Sequence, residues 1–153
     1  MTSNATNLNT ASTIVFRDGS GNFSAGTVSA VATSAQYADL AEMYMPDVDY
    51  APGTVMIVGG EAEITIADSS SSILAGVIST DPAFLMNSQA EGHPLALVGR
   101  VAVRITGAIN KGQAVFAADN GVASADATGP IVGIALESSG DTNEKLIECM
   151  LKV

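Results

Sequence analysis

Tryptophan is missing from this chain of 153 residues, cysteine and histidine occur once each, and six basic residues face sixteen acidic ones. Each scarcity removes a class of function. A single cysteine, Cys149, leaves no intrachain disulfide to staple the fold. Together with the single histidine, His93, it cannot supply a usual zinc ligand set. The formal charge of -10, with no basic cluster to offset it, repels phosphate backbones and argues against direct nucleic-acid binding. Four Phe and three Tyr without any Trp make a poor stacking platform for a glycoside hydrolase groove. No apolar run approaches the roughly 20 residues that cross a bilayer. The opening MTSNATNLNT has neither the basic region nor the apolar core of a signal peptide. The expectation is a soluble product, made in a cytoplasm, that engages no membrane.

What remains is Ala, Val, Ser, Thr and Gly, a mixture that favours thin β structure with tight turns. A chain of this length holds one domain able to fold without metal or disulfide. The expected fold is all-β: a small barrel or β-tulip-like body with an extended N-terminal arm and one short helix. Residues 1–31 read as the arm, with STIVFR and FSAGTVSAV turning at Asp18-Gly19 as a hairpin or a pair of extended arms. Residues 32–50 read as short helix and linker. Over Thr33 to Met45, Ala35, Ala38, Leu40, Ala41 and Tyr44 form an apolar stripe. Gln36, Asp39 and Glu42 lie outside it, Ser34 is placed to cap, and Pro46 to stop. Residues 51–153 read as strands throughout. Val55 and Ile57 alternate, Gly59-Gly60 turns, and Ala62, Ile64 and Ile66 resume with Glu61, Glu63 and Thr65 outward.

Within that body the pattern repeats. Gly53-Thr-Val55 is followed by a small-residue strand and then Leu74-Ala-Gly76-Val-Ile. Gly112-Gln-Ala-Val115 is followed by DNGVASA and then Val132-Gly133-Ile-Ala. The echo predicts two β-units around a pseudo-symmetric barrel, with Gly76 and Gly133 at sharp bends or close approaches.

No catalytic constellation emerges, and the chain is read as no enzyme with no cofactor. His93, in EGHPLAL, has no nucleophile or orienting carboxylate set around it in sequence and reads as a loop residue at a strand entry. The turn glycines precede no Lys-Ser/Thr pair, so no phosphate loop forms. Cys149 alternates with Ile147 and Leu151 and reads as a core thiol. Asp47 and Asp49, with Asp39 and Glu42 near, are the densest carboxylate stretch. They lack the further oxygens of a calcium loop; a salt-bridged turn is preferred, with cation binding left open.

The residues point instead to assembly. A lone two-stranded hairpin is marginal in water, so Val15, Phe16 and Phe23 need another surface. Tyr37, Leu40 and Tyr44, on a helix too short to stand alone, belong at an interface. Arg100 and Arg104 share one strand face and suit Glu61 and Glu63 of a neighbouring copy.

The order PGTVMIVGGEAEI, LAGVIS, LVGRVAVRITGAINKGQAVFAADNGVASA, IVGIALES, IECMLKV resembles small β-rich phage head decoration proteins, also called cement proteins. Val15–Thr27 and Ala32–Tyr44 are similar to the distal part of tail-fibre proteins from phages of cyanobacteria and marine bacteria. Both resemblances imply a homotrimer in a virion, bound to the major capsid protein or another virion protein. Beginning at Met1 without a long shaft, the chain reads as a complete compact module, which favours decoration of the capsid surface. Tail fibre or receptor binding is the alternative, and a self-cleaving fibre domain stands third.

Overall fold

The computed structural model describes residues 4–8, 10–28, 34–35 and 37–152. They divide into two units, Met1–Ser34 and Ala35–Val153.

In the first unit, β1 (Ala5–Thr6) pairs with β2 (Ile14–Val15) in parallel. The Asp18 turn forms as expected. Its backbone N–H donates to Asn22 O at 2.8 Å, and its Oδ1 accepts from Ser20 N at 2.9 Å and Asn22 N at 2.8 Å. The hairpin around it does not form. Residues 5–7 take the partner's place: Phe16 N donates to Thr6 O, and Ser24 N to Asn7 O. Residues 1–3, 9 and 29–31 of the expected arm lie outside the described residues.

Among the described residues, the second unit consists of strands, turns and loops, apart from one turn of 3-10 helix at Asp119–Gly121. The helix expected across 33–45 is replaced by β3 (Asp39–Tyr44); Thr33 and Gln36 lie outside the described residues. Helix propensity is a weak preference over three turns, whereas β3 finds ladder partners on two edges. It pairs with β7 (Phe84–Met86) in parallel and with β8 (His93–Ile105) antiparallel.

β8 has 13 residues and serves two rings. Its first half pairs with β3 on one edge and β6 (Gly76–Ile78) on the other. β6 continues to β4 (Val55–Val58) and β5 (Ile64–Ile66), and a parallel bridge between Ile64 and Pro46, just beyond β3, closes the circuit. Its second half pairs with β12 (Lys145–Leu151), which leads to β11 (Ile131–Ala135), β9 (Ala114–Ala117) and β10 (Ala123–Ser124). A parallel pair, Ala123 with Ile105, closes this five-stranded barrel. Chain order and closure match in the two rings.

The repeat predicted from the glycine pattern is therefore present bond by bond. Gly53 N donates to Ile78 O and Gly112 N to Ala135 O, both at 2.8 Å. Both glycines have φ of 85°, in the left-handed region that a side chain resists. Gly59 N donates to Glu63 O as Ala118 N does to Val122 O; Asp47 N donates to Ile64 O as Thr106 N does to Ala123 O.

Strand alternation then sorts the core. Met56, Ile64, Ile78 and Leu95 form one buried cluster in the first ring. Val115, Ala123, Ala135 and Cys149 hold the corresponding places in the second. Val55, Val77 and Ala96, from the opposite faces of β4, β6 and β8, join that second cluster and so seat one ring on the other. Burial pushes the Cys149 thiol up to about 12, so it is an inert core group, as its spacing indicated.

The turn after β3 is held by Asp47. Its Oδ2 accepts from Thr65 Oγ1 at 2.6 Å, and its Oδ1 from Tyr50 Oη at 2.6 Å and Val48 N at 3.0 Å. The Thr65 hydroxyl, then that of Tyr50, holds this carboxyl below its ordinary value of 3.8. A depressed native value means stability present above the unfolded value and lost as pH falls through the native one. Wild type is thus expected to lose stability below pH 3.8 more steeply than Asp47→Asn, measured as urea midpoints along an acid series; parallel curves would refute the role.

Gly76 and Gly133 test the ring geometry. A Cβ at Gly76 would run into the Ala96 carbonyl oxygen, and one at Gly133 into that of Met150. Gly76→Ala and Gly133→Ala should each cost about 1–3 kcal/mol by urea denaturation, the usual range for forced overpacking. Gly140→Ala, where a Cβ meets nothing within 4 Å, should leave the midpoint unchanged.

Candidate functional site

Where β8 leaves the first ring for the second, the chain opens a cleft of about 310 Å³. Gly99, at φ 117°, makes the passage possible, because a Cβ there would collide with Ala38 O and press on Asp39 Cα. Tyr37 and Ala38 lead into the cleft, Asp39 opens β3 on its wall, and Ser79–Asp81 follow β6. Arg100, Val101 and Ala102 of β8 and Glu148 of β12 complete it.

Asp39 is the unusual member. It is 5 % exposed, and its Oδ2 is the one buried side-chain nitrogen or oxygen without a hydrogen-bond partner among the described residues. Its backbone is fixed: the carbonyl accepts Ala83 N at 2.9 Å, and the residue pairs with Gly99. Ser79, also buried, donates its N–H to Pro94 O.

The sequence-predicted interface residues other than Arg104 fall in four places. Val15, Phe16 and Phe23 are exposed in the first unit, Phe16 by 57 %. Tyr37 and Arg100 meet at the cleft. Leu40 and Tyr44 lie half-buried on β3, where the Tyr44 hydroxyl donates to Glu42 Oε2 at 3.2 Å. Glu61 and Glu63 flank the start of β5, and Glu63 Oε2 accepts Met45 N at 2.8 Å.

Arg100 and Arg104 do share a face, opposite buried Val101, Val103 and Ile105. Arg104, however, is engaged within its own chain. Its Nε donates to Glu144 Oε1 at 2.8 Å and its Nη1 to Thr54 Oγ1 at 3.0 Å. His93 opens β8, and its Nε2 lies 2.9 Å from Asp49 Oδ1. With Asp47 bound to Thr65 and Tyr50, the carboxylate stretch forms a tied turn. No group of three or more His, Cys, Asp or Glu placed to hold a metal occurs among the described residues. No helix among them is long and apolar enough to cross a membrane.

Sequence reasoning missed Asp39, Ser79, Thr80, Asp81 and Glu148 as cleft residues. Asp39 was assigned to the outer face of a helix. Read with period 2, YADLAEMY puts Asp39 beside Ala41 on an inward face, a signal that was available.

No protein-family profile matches the chain, and no curated protein matches it in sequence. Among solved structures, two of those that share its fold come from one bacteriophage protein. The C-terminal fragment of gene product 12 from bacteriophage phi29 aligns with a TM-score of 0.59 at 16 % identity, over 74 % of this chain and 100 % of the fragment. The pre-mature form of the same bacteriophage phi29 gene product aligns with a TM-score of 0.62 at 15 % identity, over 86 % of this chain and 23 % of that one. The chain thus spans about a quarter of the length of the pre-mature protein. At these identities the likeness is one of fold: the body described above recurs within a longer bacteriophage protein.

Proposed function

We propose that this chain is a structural protein of a bacteriophage virion, carried on the tail as a distal fibre or receptor-binding module and assembled as a homotrimer. The observation that carries the reading is the recurrence of this fold as a C-terminal fragment of a longer phage protein. The tail-fibre resemblance of Val15–Thr27 and Ala32–Tyr44 points the same way. Head decoration rests on degenerate glycine and valine motifs of the body, and an end-module of a longer phage chain suits a fibre better than a capsid lattice.

The module acts by being held in place, not by turning over a substrate. Val58 and Ile73, exposed by 77 % and 79 %, flank a groove in the first ring and supply an apolar seam for neighbouring copies. The exposed Val15 and Phe16 of the first unit offer strand edge and apolar contact to a partner protein.

Three measurements test the reading. Gold-labelled antibody on particles of the encoding phage should mark the tail; label spread over the head shell would reverse the assignment. Sedimentation equilibrium should give three times the chain mass. Removing residues 1–31 should leave near-ultraviolet circular dichroism unchanged and abolish attachment to particles; a truncated chain that still attaches would remove the arm from the mechanism.

A further inference from the structure

We propose that copies of this chain join head to tail through two different faces of the first ring. The Val58 and Ile73 seam of one copy packs on a row of Phe84, Leu40 and Val98 in the next, in a register set by Glu61 and Arg100. The inference rests on the homotrimer reading and names the surfaces that close it.

The row follows from strand register. Leu40 on β3 is paired with Val98 on β8 and with Phe84 on β7, so the three side chains stand abreast across three strands. Asp39 and Ala41, the neighbours of Leu40 along β3, are buried, which leaves Leu40 on the outer face. Phe84 is 64 % exposed and Val98 54 %. One exposed apolar side chain is ordinary, whereas three abreast make a patch of the kind that marks an interface.

The seam lies elsewhere on the ring. Val58 ends β4 and Ile73 precedes β6, and both border a groove shared with Ile57 and Leu74. β6 separates β4 from β8, and β5 separates it from the β3 end of the circuit, so seam and row occupy non-adjacent walls.

Two apolar faces on different walls restrict the symmetry. A two-fold contact sets a face against itself, burying one and leaving the other in water. A head-to-tail contact buries both with a single kind of interface and closes into a ring when its rotation allows.

Charge makes the same choice. The ion pairs among the described residues are His93–Asp49 and Arg104–Glu144, so Arg100 and Glu61 are unpaired within the chain. Arg100 shares its cleft with Asp81 and Glu148 yet forms an ion pair with neither. It follows Val98 on the same side of β8, and Glu61 stands at the turn that follows Val58. A head-to-tail contact therefore brings opposite charges to the rim of the apolar patch. A two-fold contact sets Arg100 against Arg100, or Glu61 against Glu61. Copies of charge -10 repel one another, so the contact that joins them is apolar at its centre and places a scarce cation opposite a carboxylate.

The test is cross-linking of the full-length chain carrying Val58→Cys and Phe84→Cys together, with a flexible bis-maleimide. Cys149 is fully buried and stays unreacted. The expected products on a denaturing gel are covalent trimer from the double variant and monomer alone from each single variant. Dimer from a single variant would mean a two-fold contact and would overturn the proposal, as would absence of trimer from the double variant. Ile73→Cys with Val98→Cys repeats the test if the first pair fails to fold. Arg100→Glu and Glu61→Arg should each raise the concentration of half-assembly several-fold, and the two combined should restore it. Weakening without restoration would overturn the register. Sedimentation equilibrium keeps the two readings apart. Three chain masses without cross-linked trimer would mean that copies join by another surface, and one chain mass would remove the homotrimer together with the interface.

Discussion

One strand carries the body. β8 donates and accepts backbone hydrogen bonds along both edges, first with β3 and β6, then with β12 and, at its last residue, β10. Two barrels that share a strand cannot open separately without exposing its unpaired edge, and buried backbone groups without partners are costly. The passage between rings requires close backbone approach at Gly99, and the matching approaches on β6 and β11 require Gly76 and Gly133. These glycines, more than any large apolar residue, allow a chain with no tryptophan and no disulfide to close two small cores.

That constraint also sets the geometry of the cleft. The cleft exists because β8 changes partners at Gly99, leaving Asp39 at the end of one ladder and Arg100 at the start of the next. The two residues are far apart in sequence and adjacent because of the crossover. The exposed apolar residues on β4, in the loop before β6 and in the first unit are independent of it and are the surfaces the proposed assembly would use. The polar cleft and these exposed apolar residues thus lie on separate parts of the described structure.

Much of this was legible in the residues. Strict alternation in Val101, Val103 and Ile105 and in Ile147, Cys149 and Leu151 gave the inward faces directly, and the Gly53 and Gly112 echo gave the repeat. Two features were not. Ala-rich YADLAEMY fits a helix as well as a strand by composition, and ladder partners distant in sequence decided the outcome. The Asp18 turn was correctly placed, but its strand found a parallel partner upstream, because a short segment pairs with whichever edge tertiary structure offers. The cleft was illegible for a related reason: its walls come from β3, the segment after β6, β8 and β12, which only the crossover assembles.

The shared strand is most directly tested by native-state hydrogen exchange of the full-length chain in low denaturant. If β8 unites the rings, the amides of Leu95 and Ala96 in the first half and of Val103 and Ile105 in the second open with one free energy, equal to that of global unfolding. Exchange of the first-half amides at distinctly lower free energy, with the second half still protected, would mean two independent barrels and would contradict the account.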